Sequence, residues 1–142
     1  MITEVKHIGI TPLQPKEDFL KKVENFFEGV KKALIVRLDE AFYTQDLLEK
    51  IENSSKKSNS IVIYNSRNDI GSKKNIHLTS IDLMNYKEKR ECNFLLGASC
   101  HNQNEVEKAN QLECDYILIS PVLKNKHGNK EIGWEKFVEL AK

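Results

Sequence analysis

Phe94-Leu95-Leu96-Gly97-Ala98-Ser99-Cys100-His101-Asn102 is the stretch that decides the fold, because an apolar run typical of a strand ends here in small and reactive side chains. A helical pattern follows. Asn104 or Asn102 is its expected N-cap, and Glu105 lies in the first turn, where exposed backbone N–H groups favour negative charge. A strand that ends in polar residues and leads into a helix N-terminus is typical of the ligand-facing end of a βα unit.

Six apolar segments alternate with helical patterns or helix-sized loops over the rest of the chain. Besides the opening stretch, strands are predicted at 6–12, 33–36, 60–64, 76–78 and 116–119. Helices are predicted at 16–30, 42–51, 82–86, 104–111 and 133–141, and polar loops at 53–59 and between the third and fourth strands. Apolar spacing assigns two groups to buried helix faces: Phe19, Leu20, Val23, Phe26, Phe27 and Val30, then Trp134, Phe137, Val138 and Leu140.

The composition excludes several classes of protein. A length of 142 residues suits one domain, and 22 basic against 21 acidic residues give a net charge of +1, with no field to recruit nucleic acid or a membrane surface. No apolar run approaches the ~20 residues that span a bilayer, and no signal-peptide pattern opens the chain. We therefore expect a cytoplasmic protein. Cys92, Cys100 and Cys114 form no CxxC pair, and one thiol stays unpaired under any disulfide scheme.

The alternation of strands and helices predicts a parallel sheet with right-handed crossovers, whose carboxyl ends share one face. In βα proteins this face holds the binding site. An alternative is that strand ends are polar only because loops are polar. The residues that the pattern collects on this face are Thr11, Arg37, Asn65, Ser66, Thr79, Ser80, Ser99, His101 and Ser120.

Six short segments resemble, in their order, motifs of the thiamine phosphate synthase and TenI (thiazole tautomerase) superfamily. They are Lys6-His7-Ile8-Gly9-Ile10-Thr11-Pro12, Val36-Arg37-Leu38, Ile63-Tyr64-Asn65-Ser66-Arg67, Ile76-His77-Leu78-Thr79-Ser80-Ile81-Asp82-Leu83, Gly97-Ala98-Ser99-Cys100-His101, and Cys114-Asp115-Tyr116-Ile117 with Ser120-Pro121-Val122. The resemblance implies an α/β fold, a parallel (β/α) barrel that is incomplete, with six strands instead of eight. The amino-acid sequences of these motifs are most similar to those of the subgroup that is fused behind Nudix hydrolase domains. Strands seven and eight are expected to be missing after the sixth βα unit.

The resemblance also implies a site for a small phosphorylated heterocycle. Arg37 and Asn65 match residues that contact a pyrimidine diphosphate, and Ser99 matches a diphosphate contact. Ser120 is a further expected substrate-binding residue. Asp82 matches an aspartate that binds Mg²⁺, a hard cation suited to holding a leaving diphosphate on oxygen ligands.

His101 matches the proton-transfer residue of TenI, which tautomerises a thiazole carboxylate phosphate. An imidazole is suited to moving a proton at carbon near neutral pH. Three alternatives stay open at this point. His101 is equally consistent with a residue that bonds near a helix start, Asp82 is equally consistent with a helix N-cap, and Cys100 is interpreted as a small buried residue and not as a nucleophile.

Some positions depart from the family pattern. Ser66 stands where a second magnesium-binding aspartate is usual, which weakens the expected Mg²⁺ site, and Asp39 stands where a phosphate-binding lysine is usual. The segment 124–130 keeps positive charge but lacks the Thr-x-Thr-Lys motif.

Two functional hypotheses follow. One is an enzyme of thiamine metabolism, either a synthase-like transferase or a tautomerase. The other is a degenerate barrel that binds a thiamine-related ligand or a protein partner without turnover. Because strands one and six would be apolar sheet edges, we expect the sheet either to close as a smaller, flattened barrel or to be completed by a second copy of the chain, most simply in a homodimer.

Overall fold

The computed structural model describes residues 2–88, 93–124 and 130–142, which form two compact units, Met1–Ile76 and His77–Lys142. Cys92, part of the charged segment 87–91 and most of the predicted basic loop 124–131 lie outside the described residues.

The first unit consists of three strands that alternate with two helices. Its elements are β1 (Ile8–Ile10), α1 (Phe19–Phe27), β2 (Ala33–Val36), α2 (Gln45–Lys56) and β3 (Ile61–Asn65), with short 3₁₀ turns at Ile2–Glu4 and Glu40–Phe42. The strands are parallel and follow the order of the sequence. Gly9 pairs with Leu34, and Leu34 pairs with Val62.

An apolar core fills the space between the strands and helices of this unit. All four residues of β2 are buried, as expected for a strand covered on both faces. Apolar side chains of α1 and α2 pack over the strands, and each helix contributes one face at three- and four-residue spacing. The buried members of the cluster are Phe19, Val23, Phe27, Leu34, Val36, Leu38, Leu48, Ile51, Val62 and Tyr64.

The second unit repeats the same plan. Its elements are β4 (Ile76–Leu78), which begins at the boundary between the units, α3 (Ser80–Asn85), β5 (Leu96–Cys100), α4 (Gln103–Gln111), β6 (Tyr116–Ile119) and α5 (Gly133–Leu140). Strands β5 and β6 are parallel, with Gly97 opposite Tyr116 and Cys100 opposite Ile119. Helices α3 and α4 pack against each other and against β5.

The predicted fold class is confirmed, since six strands alternate with helices and the pairs described above are parallel. The loop predicted between the third and fourth strands is also confirmed. Within the described ranges, none of the helices has the length and apolar character needed to cross a bilayer.

Both helices of the first unit end at residues that differ from the prediction. Helix α1 ends at Phe27 because Glu28 is extended and Gly29 has a positive φ of 83°, so the expected buried position of Val30 is wrong and this side chain is 65% exposed. Helix α2 continues through most of the predicted polar loop. Ser55 supports this extra turn by donating its hydroxyl hydrogen to the Glu52 carbonyl, 2.7 Å away.

The second unit also corrects the sequence prediction in two places. Strand β5 starts at Leu96 and includes Ser99 and Cys100, which the sequence placed at its polar end. In α5 only Leu140 is fully buried, and Trp134 is 62% exposed, so the predicted burial of Trp134 and Val138 is wrong. Amphipathic spacing identifies the apolar stripe of a helix, but the neighbours decide how wide a stripe is covered.

Asn68 holds the backbone that follows β2. Its Oδ1 accepts the Leu38 N–H at 3.1 Å, and its Nδ2 donates to the Leu38 carbonyl at 2.8 Å. Leu38 is fully buried, so water does not replace either bond. Asn68 therefore satisfies both polar backbone groups of a buried residue.

We expect Asn68→Ala to lower the free energy of unfolding by about 2–3 kcal/mol, because two buried backbone groups lose their partner. Urea denaturation followed by circular dichroism measures this loss. Asn53→Ala, at an exposed position of α2, is the matched control and should change stability by less than about 0.5 kcal/mol. Equal effects of the two variants would contradict the role of Asn68.

Candidate functional site

Arg37 directly follows β2 in the first unit and is positioned by Thr11. The Thr11 hydroxyl donates to the Arg37 carbonyl at 2.8 Å and accepts the Arg37 N–H at 2.9 Å. Thr11 is buried, so its two bonds fix the backbone of Arg37 where the strand ladder stops. Among the described residues, the buried Nε of Arg37 has no hydrogen-bond partner. A guanidinium donor left in this state is suited to an anionic ligand.

Asn65 ends β3 and makes a local turn. Its Oδ1 accepts the Arg67 N–H at 2.9 Å, a pattern typical of asparagine where a strand gives way to a loop. Asn65 is buried. Val36 of β2 pairs with Tyr64 of β3, and Arg37 and Asn65 are the residues that follow this pair on the two strands. The two predicted ligand residues of this unit therefore follow neighbouring parallel strands.

Asp39 is engaged by two side chains of the same unit. Arg67 Nη2 lies 3.0 Å from one carboxylate oxygen, and Gln14 Nε2 donates to the other at 3.0 Å. The position where the family pattern has a phosphate-binding lysine thus carries a carboxylate that pairs with Arg67. This ion pair neutralises the charge that Arg67 would otherwise present to a ligand.

His77 lies at the centre of the second unit and is 2% exposed. Its Nε2 is 2.8 Å from Ser99 Oγ, and its Nδ1 is 3.0 Å from the Tyr116 hydroxyl. The imidazole also stacks on the Tyr116 ring, with 5.6 Å between centroids. Ser99 is half-buried. It belongs to a hydrogen-bonded side-chain network with His77, in addition to its predicted ligand contact.

Gly97 makes room for the Tyr116 ring. A Cβ built on Gly97 would lie 2.1 Å from Tyr116 Cζ, which is much closer than two non-bonded carbon atoms approach each other. Burial, first of all, raises the pKa of the Tyr116 hydroxyl, with smaller contributions from Cys114 and Asp115, so this group is a neutral phenol near physiological pH.

His101 directly follows β5 and contacts Ser120, which directly follows β6. The Nδ1 atom of His101 bonds to the Ser120 carbonyl oxygen. A carbonyl only accepts, so Nδ1 carries the proton, and in the neutral ring Nε2 keeps its lone pair. The ring is exposed, which leaves it accessible to a ligand. The structure therefore brings together two of the predicted site residues.

The start of α4 is capped by Asn102, and the side chain of Glu105 bonds to the residue that precedes this cap. Asn102 Oδ1 accepts the Glu105 N–H at 3.0 Å, and the Glu105 carboxylate accepts the backbone N–H of His101. Asn102, and not Asn104, is therefore the N-cap. The interpretation of His101 as a residue that bonds near the helix start is correct for its backbone, whereas its imidazole bonds to the neighbouring strand end.

Asp82 is not the N-cap of α3. Thr79 has that role, since its hydroxyl accepts the Asp82 N–H at 3.2 Å and donates to Asp82 Oδ2 at 2.8 Å. Asp82 is the third residue of the helix in this reciprocal arrangement. In the described parts of the chain, no group of three or more His, Cys, Asp or Glu side chains is placed to hold a metal ion. The donors present do not make a preformed Mg²⁺ site.

Cys100 is a buried residue of β5, as the sequence predicted. Its side chain is fully buried, and burial raises the pKa of the thiol to about 12, with smaller contributions from Glu105 and Cys114. The thiolate is the reactive form of cysteine, and it is nearly absent at this site at neutral pH.

The sequence did not single out His77, Tyr116 or Asn68, although each makes buried hydrogen bonds at the strand ends. The available signal was a polar residue between two apolar ones, as His77 is between Ile76 and Leu78 in β4. In a three-residue strand this pattern does not distinguish a buried histidine from an exposed one.

Comparisons with known proteins agree with one another. The family model described as thiamine monophosphate synthase matches residues 8–142. A thiamine-phosphate synthase of Prochlorococcus marinus subsp. pastoris is 31% identical over an alignment of 137 residues that covers 90% of this chain and 39% of the relative. A thiamine-phosphate synthase of Prochlorococcus marinus strain AS9601 is 30% identical over an alignment of 136 residues that covers 89% of this chain and 39% of the relative.

Among solved structures, thiamine phosphate pyrophosphorylase from Pyrococcus furiosus superposes with a TM-score of 0.70 and 18% sequence identity. The match covers 96% of this chain and 69% of that one, and it shows a shared fold. The chain spans 39% of the length of the curated relatives given above.

We expect Gly97→Ala to lower the free energy of unfolding by about 1–3 kcal/mol, because the new methyl group overlaps the Tyr116 ring. The same substitution in a Tyr116→Ala background should cost much less, since the overlapping ring is gone. Urea denaturation of the four proteins in this double-mutant cycle measures the coupling. Equal costs in both backgrounds would show that Gly97 matters for another reason.

At pH 8 we expect iodoacetamide to label Cys100 in the folded protein at least about a hundredfold more slowly than in urea, because the raised thiol pKa and burial both suppress reaction. Peptide mass spectrometry of a labelling time course measures the rate. The half-buried Cys114 is an internal comparison and should react faster. Equal rates for Cys100 in the folded and unfolded protein would contradict its inert character.

Proposed function

Because the chain belongs to the thiamine monophosphate synthase family, we propose that it binds a small phosphorylated heterocycle and moves a proton on it, in the manner of thiazole tautomerase. The observation that carries this proposal is the hydrogen bond from His101 Nδ1 to the Ser120 carbonyl oxygen.

This bond prepares His101 as a general base. With Nδ1–H held by the carbonyl, the lone pair of Nε2 is directed away from Ser120. Nε2 takes a proton from one position of the heterocycle and returns it to another, so the reaction is an isomerisation without net loss of atoms or charge. The fixed ring orientation lowers the cost of aligning the base with the substrate.

The orphaned Nε of Arg37 supports binding of an anionic ligand. Asn65 lies at the matching position of the neighbouring strand, and we propose that both residues bind substrate. For Ser99 and Ser120 we propose contacts through their hydroxyl groups. These contacts are proposed for each unit by itself, and His101 is the proposed proton carrier of the second unit.

Three features favour a tautomerase over a magnesium-dependent synthase. Asp82 is engaged by Thr79, and Ser66 stands in place of a second acidic ligand. In addition, Asp39 pairs with Arg67 where a diphosphate would need positive charge. A Mg²⁺ ion here would depend on substrate phosphates for most of its ligands. We therefore assign no step of the reaction to the metal.

A homodimer and a cytoplasmic location also belong to this proposal. Ile8 and Ile10 of β1 are exposed apolar residues, which a second copy of the chain would cover. The likeness to Nudix-fused relatives and the absence of strands seven and eight stay predictions.

His101→Ala should reduce the rate of tautomerisation of a thiazole carboxylate phosphate by about 10²–10⁴-fold, because the proton carrier is removed. KM should change little, since the binding residues are intact. NMR spectroscopy of the substrate follows the reaction. His7→Ala is the matched control, an exposed histidine of the first unit, and should be fully active.

Full activity of His101→Ala would contradict the tautomerase proposal. Magnesium-dependent thiamine phosphate formation that is lost in Asp82→Ala would favour the synthase. Binding of the thiazole phosphate without any turnover would favour the non-catalytic ligand-binding barrel.

A further inference from the structure

His77, Tyr116 and Ser99 form one hydrogen-bonded chain inside the second unit. The imidazole separates the two hydroxyl groups, with Tyr116 on Nδ1 at 3.0 Å and Ser99 on Nε2 at 2.8 Å. A neutral imidazole carries one N–H and one lone pair, so its two neighbours must have opposite roles. The position of a single proton on His77 therefore decides whether Ser99 is a donor or an acceptor toward a ligand.

Two arrangements satisfy the geometry. In the first, the Tyr116 hydroxyl donates to Nδ1, Nε2–H donates to Ser99 Oγ, and the Ser99 hydrogen is free to point at a ligand. In the second, Ser99 donates to Nε2, Nδ1–H donates to the Tyr116 oxygen, and the phenol hydrogen points away from His77.

The surroundings of Tyr116 favour the first arrangement. Among the described residues, His77 is the one hydrogen-bond partner of the Tyr116 hydroxyl. The raised pKa of this hydroxyl means that it keeps its hydrogen, which needs an acceptor. The second arrangement would leave a mostly buried O–H donor unpaired, which is unfavourable. In the first arrangement Nδ1 accepts that hydrogen.

We propose that Tyr116 holds His77 in the Nε2–H tautomer and that His77 thereby presents the Ser99 hydroxyl as a hydrogen-bond donor to the phosphate of a bound ligand. Tyr116 and His77 are positioning residues in this chain, and Ser99 is the group that touches the ligand. The inference rests on the proposed function in one respect, that the ligand carries a phosphate group. Gly97 is required for this hydrogen-bonded arrangement because a side chain there would displace the Tyr116 ring.

The position of Ser99 supports this role. Its side chain is half-buried in β5, two residues before His101 and one register step before the pairing of Cys100 with Ile119. Among the described residues, His77 Nε2 is the one hydrogen-bond partner of Ser99 Oγ. With the oxygen occupied as an acceptor, the hydroxyl hydrogen is the part of Ser99 left for an anion.

Long-range ¹H–¹⁵N correlation spectra of the histidine rings test the tautomer without any ligand. The His77 signals are assigned as those missing in His77→Asn. We expect a protonated Nε2 and an unprotonated Nδ1 in the wild-type protein, and a shift toward Nδ1–H in Tyr116→Phe, which keeps the ring but loses the donor. An Nδ1–H tautomer or a doubly protonated ring in the wild-type protein would overturn the inference.

Titration with inorganic phosphate tests the ligand-facing half of the inference. Ser99→Ala and Tyr116→Phe should each weaken binding by roughly ten- to a hundredfold, the value of one hydrogen bond to a charged group. Tyr43→Phe removes a buried, unpartnered hydroxyl of the first unit and should leave the dissociation constant unchanged. Wild-type affinity in Tyr116→Phe would overturn the positioning role. If the wild-type protein binds no phosphate, the proposed function fails, and the spectra still decide the tautomer.

Discussion

Backbone N–H and C=O groups beyond the carboxyl ends of parallel strands lack the partners that the strand ladder supplies, and each must find another. This constraint shapes both units of the protein. In the first, Thr11 holds Arg37, and Asn68 holds Leu38. In the second, the Ser120 carbonyl receives His101. The side chains that meet the constraint are also the ones that position candidate ligand-binding groups, because strand ends are where a ligand is bound.

The same constraint separates functional residues from supporting ones. A group whose bonds are all made within the chain acts by holding others, as Asn68 and Thr79 do. A group left with an unused donor or lone pair is available to a ligand, and Arg37 Nε and His101 Nε2 are such groups. Asp39 is a supporting residue at a position where the family pattern has a phosphate-binding cation. It is an anion, and it pairs with Arg67. This difference from the family pattern is one of the observations that support the proposed tautomerase.

Sequence patterns predicted well where strands and helices lie, but they predicted poorly which side chains neighbouring elements would bury. The strands 33–36 and 116–119 were predicted with the observed boundaries, because continuous apolar runs have few alternatives. The boundaries of 76–78 were also predicted correctly, although this strand has a polar residue between two apolar ones. The burial of Val30 and Trp134 was predicted wrongly, since periodicity identifies a helix face but not the neighbours that cover it. Of the site, the family motifs predicted His101, Ser99 and Ser120. They did not predict that Ser99 bonds to His77 or that His101 bonds to the backbone carbonyl of Ser120, because these partners lie far apart in the chain.

The amino-acid sequence by itself determined the alternation of strands and helices, the family, and the residue types at the strand ends, because these follow from local periodicity and short motifs. Only the tertiary structure decided which ring nitrogen of His101 carries a proton, since that depends on a carbonyl 19 residues away at Ser120. It also decided that His77 forms hydrogen bonds with both Ser99 and Tyr116, and that Gly97 leaves space for the Tyr116 ring. Protonation and hydrogen-bond roles depend on which groups meet in space, and the order of residues along the chain does not specify those meetings.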